Sequence, residues 1–312
     1  MFTISRRIKS TTLIIALAFA IGGCANTELI PANETPKQAT AHSGANQEKA
    51  VMDNFNSLQQ KKDVAIPEII KYIGNNISTV SQPNASTMVN ELEKLQKEKL
   101  PKLQDKFAEG EVVQQTLARG YKDGVTDSYI DSLDNKEVKE LLVETKNSGY
   151  KIETAEGMFF PVIDYSSYKK YRNAVSQDIA AFIDIMAIES DKTPVKDAGL
   201  MINWAEIIKR AGTQEQFIKE YGNSAKVEDI RQLLKRYAAL ALYGTNNTPL
   251  FNYETKQMAP EAKKTYLETG FDENNGSFSK AMSGYLAILK KNDYKLTNEV
   301  QEYRNKAAEE IR

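Results

Sequence analysis

Cys24 is the only cysteine and His42 the only histidine in 312 residues. Beyond position 50 the chain has neither type, so a Ser-His-Asp or Cys-His nucleophilic site has nothing to form from. The usual zinc ligand sets are excluded for the same reason. No G-x-x-x-x-G-K-[ST] or G-x-G-x-x-G loop occurs, so a phosphate cradle for a nucleotide has no support. Carboxylate, lysine, tyrosine and Ser/Thr chemistry remains. Asp178, Asp184, Glu189 and Asp191 are hard oxygen donors, but no Asp-x-Asp-x-Asp-Gly spacing joins them, and they read as solvated helix faces. No metal and no cofactor are expected. Phe159, Phe160, Tyr165 and Tyr168 crowd together, with Tyr171 close by. Aromatic rings with polar tips suit recognition of a protein or a sugar, and the same spacing suits ordinary packing.

The N-terminal residues place Cys24 in a pattern. Arg6, Arg7 and Lys9 are basic, Thr12 to Ile21 is apolar, and Ile21-Gly22-Gly23 leads into the cysteine. An apolar run of about ten residues is too short to span a bilayer, which takes about 20. Residues 1–24 resemble the signal of bacterial lipoproteins, whose lipobox sets an aliphatic and two small residues before the acceptor cysteine. The resemblance implies a diacylglyceryl group on the Cys24 sulfur, cleavage between Gly23 and Cys24, fatty acylation (palmitate) and an extracytoplasmic, membrane-held protein. Ala25, in place of a retention Asp, favours the outer membrane if the cell is Gram-negative. An ordinary secretory signal with a chance cysteine is the bland alternative.

Two weaker resemblances lie in the folded part. The segment Ile188-Glu-Ser-Asp-Lys-Thr-Pro-Val-Lys-Asp-Ala-Gly-Leu-Met201 is similar to the lytic transglycosylase signature, in which a Glu-Ser pair at a helix end precedes Gly-Leu-Met-Gln. This implies Glu189 as a lone general acid/base on peptidoglycan, a role that needs a pKa raised by burial. The spacing is shorter than the family's, and Ile202 and Asn203 stand where Gln is expected. Leu242-Tyr-Gly-Thr-Asn246 only echoes the downstream motif. Gln216 to Ser224 resembles the junction of tetratricopeptide-like repeats, with Gly222 in place of proline. No copy recurs at a 34-residue period, so it implies two helices joined at Gly222-Asn223-Ser224.

Removing the leader takes Arg6, Arg7 and Lys9 with it, leaving 38 basic against 42 acidic side chains. Such a balance gives no electrostatic grip on phosphates, and nucleic acid is not an expected partner. The membrane, through Cys24, and an envelope protein or the cell wall are. Residues 24–50 are rich in Asn, Glu, Gln, Thr and Ala, and read as a lipid-anchored flexible tether. Residues 51–312 read as a helical domain, with a possible subdivision near 148.

Helical periodicity dominates that domain. Met88, Leu92, Leu95, Leu103 and Phe107 form one stripe, which Pro101 should bend or break. Val227, Ile230, Leu233, Leu234, Tyr237 and Leu240 form another. Thr193-Pro194 predicts a helix start, with a stop near Gly212. Further helices are expected over 67–74, 111–122, 135–147, 168–188, 213–221, 260–268, 278–291 and 297–311. Tyr150 to Tyr165 breaks the period, with β-rich runs flanking Ala155-Glu156-Gly157. The expected fold is mainly α, a multi-helix bundle or irregular helical array with one small β-hairpin near 150–165. The missing catalytic residues favour an envelope binding module over an enzyme. A transglycosylase using Glu189 is the alternative. A solute-binding lipoprotein comes third, because the strand and helix alternation of such receptors is absent.

Overall fold

The stripe Met88, Leu92, Leu103 and Phe107 forms the inner face of helix α3 (Gln82–Ala108), and all four side chains are buried. Each such burial contributes roughly 1.5–3 kcal/mol. The computed structural model describes residues 39–122 and 124–311. In chain order the remaining helices are α1 (Ala39–Gln59), α2 (Ile66–Asn76), α4 (Glu111–Gly120), α5 (Asp127–Asp131) and α6 (Lys136–Asn147). They continue with α7 (Gln177–Asp191), α8 (Trp204–Glu220), α9 (Val227–Tyr243), α10 (Pro260–Thr269), α11 (Ser277–Lys291) and α12 (Asn298–Glu310). The fold is mainly α. Residues from Gly44 to the C terminus form one unit, and the chain passes residue 148 inside it.

The expected hairpin is present. Strands β1 (Tyr150–Ala155) and β2 (Met158–Ile163) pair antiparallel across Glu156 and Gly157, both in the left-handed region. Pro161 lies opposite Ile152 in this two-stranded ribbon, where every strand is an edge. The hairpin lies on α3, α4 and α6, which cover what two strands alone could not stabilise. A second, unexpected hairpin joins β3 (Val195–Lys196) to β4 (Gly199–Leu200). Among the described residues there is no larger sheet, so the α/β lobes of a solute receptor are missing.

Several boundaries differ from the periodicity. The Thr193-Pro194 pair starts no helix, because the chain turns back through Asp197 and Ala198, both at positive φ. Asp197 Oδ1 accepts from the Glu156 amide at 2.8 Å, tying that turn to the first hairpin. Helix α8 starts instead at Trp204, where the Asn203 side chain accepts from the Glu206 amide at 2.9 Å. It then runs through Gly212, so two expected helices are one. The expected helix over 168–188 is a 3-10 turn (Tyr165–Tyr171) followed by α7. Pro101 stays inside α3 on its exposed side, where the carbonyl it leaves unbonded can meet water. The tether reading reached residue 50, but α1 is already helical from Ala39. Buried Val51 and Phe55 hold its later turns, and Tyr72 donates to the Val51 carbonyl at 2.9 Å. Residues 1–38, with Cys24 and the lipobox, lie outside the described residues.

Two helix starts without a side-chain cap of their own are capped by distant glutamates. Glu48 of α1 accepts from the Ser81 amide at 2.7 Å and from Asn84 at 2.6 Å, at the start of α3. Glu215 of α8, buried, accepts from the Phe278 amide at 2.7 Å and the Ser279 amide at 3.2 Å, at the start of α11. A carboxylate there satisfies orphan amides and complements the helix dipole. Gly276 makes this possible, since a Cβ at that position would stand 2.4 Å from Glu215 Oε1.

Candidate functional site

Glu189 occupies the last turn of α7, and its carboxylate points inward. Tyr237 of α9 donates its hydroxyl to Oε1 at 2.7 Å and lies 2.8 Å from Oε2. Arg210 of α8 reaches Oε1 through Nη1 at 3.4 Å. The same guanidinium donates to Glu206 and to the Lys192 carbonyl, each at 2.9 Å. The Glu189 side chain is 12% exposed and that of Arg210 6%. Burial pushes the Glu189 carboxyl above the usual glutamate range, while Tyr237, Arg210 and Arg236 pull it back. Burial and the adjacent Glu189 drive the Tyr237 hydroxyl well above its ordinary value. The cluster therefore joins α7, α8 and α9, with Arg210 on Oε1 and the Tyr237 hydroxyl shared between the two carboxylate oxygens. Gly199-Leu200 of the transglycosylase-like segment forms β4, and neither cleft described below is lined by Glu189.

The aromatic patch is mostly interior. Phe159, Tyr165 and Tyr168 are buried, and Phe160 is half-buried. The hydroxyls are satisfied by α3: Tyr165 donates to Glu93 Oε1 at 2.6 Å, and Tyr168 donates to Gln96 Oε1. Tyr150 donates to the Gln96 carbonyl at 2.8 Å. Phe159, Tyr165 and Tyr168 serve the core, and Phe160 alone of the four keeps part of its ring exposed. Trp204, also buried, meets the Tyr266 ring edge-on at 6.3 Å.

Glu93 is the most deeply buried carboxylate of the described chain, at 2% exposure. Lys226 and Lys97 pair with it, the latter at 2.9 Å. Burial pushes its carboxyl upward, but the Lys226 charge and the bonds from Lys226, Tyr165 and Lys97 outweigh that, leaving it below the usual range. Helical spacing carried a signal for Gln96, which continues the stripe Met88–Leu92. Nothing in the spacing marked Glu93. Among the described residues, no group of three or more His, Cys, Asp or Glu could hold a metal ion. Nor is any described helix long and apolar enough to cross a membrane.

Two clefts gather cations. The first, about 430 Å³, is lined by Lys62, Lys99, Lys102 and Lys106, together with Asp63 and Glu144. Glu144 already pairs with Lys106 at 3.1 Å, and Lys99 donates to the Val64 carbonyl. The second, about 230 Å³, lies between the 244–256 loop and α12, with Tyr253, Lys256 and Arg304 in its wall and no acidic residue. Gly244 opens that loop at φ 72°, where a Cβ would stand 2.4 Å from the Thr248 carbonyl. Sequence reasoning missed this pocket, because its residues come from segments far apart in the chain. The chain matches no protein-family model, no curated protein and no solved structure.

Proposed function

We propose that the protein is a lipid-anchored, extracytoplasmic envelope protein that works by binding a partner rather than by catalysis. The anchor rests on the lipobox-like Ile21-Gly22-Gly23-Cys24. The observation that carries the binding role is the committed state of Glu189. The one carboxylate with a sequence resemblance to a catalytic acid is held within the fold, Arg210 on Oε1 and the single Tyr237 hydroxyl within reach of both oxygens. A substrate proton would have to displace Tyr237 to reach it.

One observation favours the transglycosylase alternative: burial raises the Glu189 carboxyl in the direction a general acid requires. Wall digestion separates the two readings. The binding reading predicts that neither the wild-type chain nor Glu189→Gln releases soluble muropeptides from purified cell wall. Release by the wild type that is lost in Glu189→Gln contradicts it. Crosslinking in intact cells, read by mass spectrometry, should capture an envelope protein or wall fragments.

A further inference from the structure

We propose that the pocket between the 244–256 loop and α12 binds a sugar ring that carries a carboxylate. This inference rests on the binding reading above and gives it a ligand class. The platform is Tyr253, at 62% the most exposed of the large hydrophobic residues described. Its hydroxyl donates to the Asn246 carbonyl at 2.9 Å, which fixes the ring while leaving a face open. Among the described residues no other ring or cation packs on it. The C–H face of a sugar packs on such a ring, and its hydroxyls need polar groups at the edge. The exposed side-chain amide of Asn246, in the same wall, supplies them.

The charge of the pocket selects an acidic sugar. Lys256 and Arg304 line it, and neither has a carboxylate partner among the described residues. The chain as a whole carries a net charge of −1, so an acid-free pocket with two cations is not a consequence of composition. Arg304 is held in place: Nη2 donates to Gln301 Oε1, and its guanidinium lies 4.7 Å from the Tyr243 ring centroid and 5.6 Å from that of Phe251. A fixed, planar guanidinium suits a carboxylate better than a mobile one. The lysine cleft, by contrast, contains two carboxylates of its own.

The loop is also set before any ligand arrives. Lys256 sits at φ 58°, a conformation costly for a residue with a Cβ. Backbone bonds hold it there: the Lys256 amide donates to Asn252 at 3.0 Å, and the Leu296 amide donates to the Lys256 carbonyl at 2.8 Å. A pre-ordered loop loses less entropy on binding.

Calorimetric titration of the whole chain tests this, with D-glucuronate and N-acetylmuramate against D-glucose and N-acetylglucosamine. The acidic sugars should bind saturably, and the neutral ones about tenfold more weakly or worse. Tyr253→Ala and Lys256→Asn, both at exposed positions and the latter tolerant of the left-handed backbone, should keep the melting temperature and lose about tenfold or more in affinity. Equal affinity for acidic and neutral sugars, unchanged binding by both variants, or no saturable heat with either acidic sugar overturns the proposal. In-cell crosslinking, run in parallel, keeps the two levels apart. Partners captured without any saccharide binding overturn the pocket alone, whereas capture of nothing beyond lipid overturns the binding reading beneath it.

Discussion

Two buried glutamates respond to pH in opposite senses, and each can be read separately. Glu93 has a folded-state pKa below its ordinary value. Its contribution to stability is complete above that ordinary value and is lost as pH falls through the folded one. Glu93→Gln leaves Lys226 without its anion and should cost about 3–5 kcal/mol at pH 7, less in acid. Urea denaturation at pH 7 checks this; a loss under about 1 kcal/mol would fit only a solvent-screened pair. Glu189 has a raised pKa. Its ionisation opposes folding increasingly as pH rises from the ordinary value through the folded one, and protonation relieves this. Tyr237→Phe removes a donor to the ionised form, so its cost should be about 1–3 kcal/mol at neutral pH and should shrink in acid. A penalty that grows with acidification would show that Tyr237 does not support the carboxylate. The sequence marked Glu189 only through a motif, Tyr237 only as a member of a core stripe, and Arg210 not at all. Ion pairing between helices depends on which faces meet, and periodicity within one helix carries no record of that.

Among the elements, the carboxylate caps make the sharpest prediction. Glu215→Ala strips the start of α11 of its acceptor inside the core and should cost about 1–3 kcal/mol. Glu48→Ala, at a half-buried surface site, should cost clearly less. Thermal melts of the two variants decide the order, and equal shifts would mean that Glu215 does not act as a buried cap. Helices were legible in the sequence where a sustained apolar stripe met the core, as in α2, α3, α6, α9, α10, α11 and α12, but not in α1, whose core contacts begin only at Val51. The first hairpin was legible because its β-rich runs flank a glycine turn. The region 191–203 was not. Thr-Pro is a good local helix start, but Asn203 supplies a competing cap nine residues on, and Asn247 bonds the β3–β4 turn through the Asp197 carbonyl at 2.7 Å. Tertiary hydrogen bonds outweighed a local preference. The 3-10 turn over Tyr165–Tyr171 escaped for the same reason, since Glu93 and Gln96 draw its hydroxyls inward.

At the scale of the molecule, the three most buried carboxylates, Glu93, Glu189 and Glu215, are all tied to partners within the helical body. The mainly α fold followed from apolar periodicity, a property of residue order. The pocket of Tyr253 and Arg304 did not, because it exists only once the 244–256 loop meets α12. The proposed function begins from the anchor, so it depends on where Cys24 places the chain. Metabolic labelling with an alkyne fatty acid, in bacteria producing the whole chain, measures that directly. The account predicts a labelled wild-type protein whose N terminus is Cys24, and a Cys24→Ala protein that is neither labelled nor cut before residue 24. An unlabelled wild type, or equal labelling of both, would contradict it.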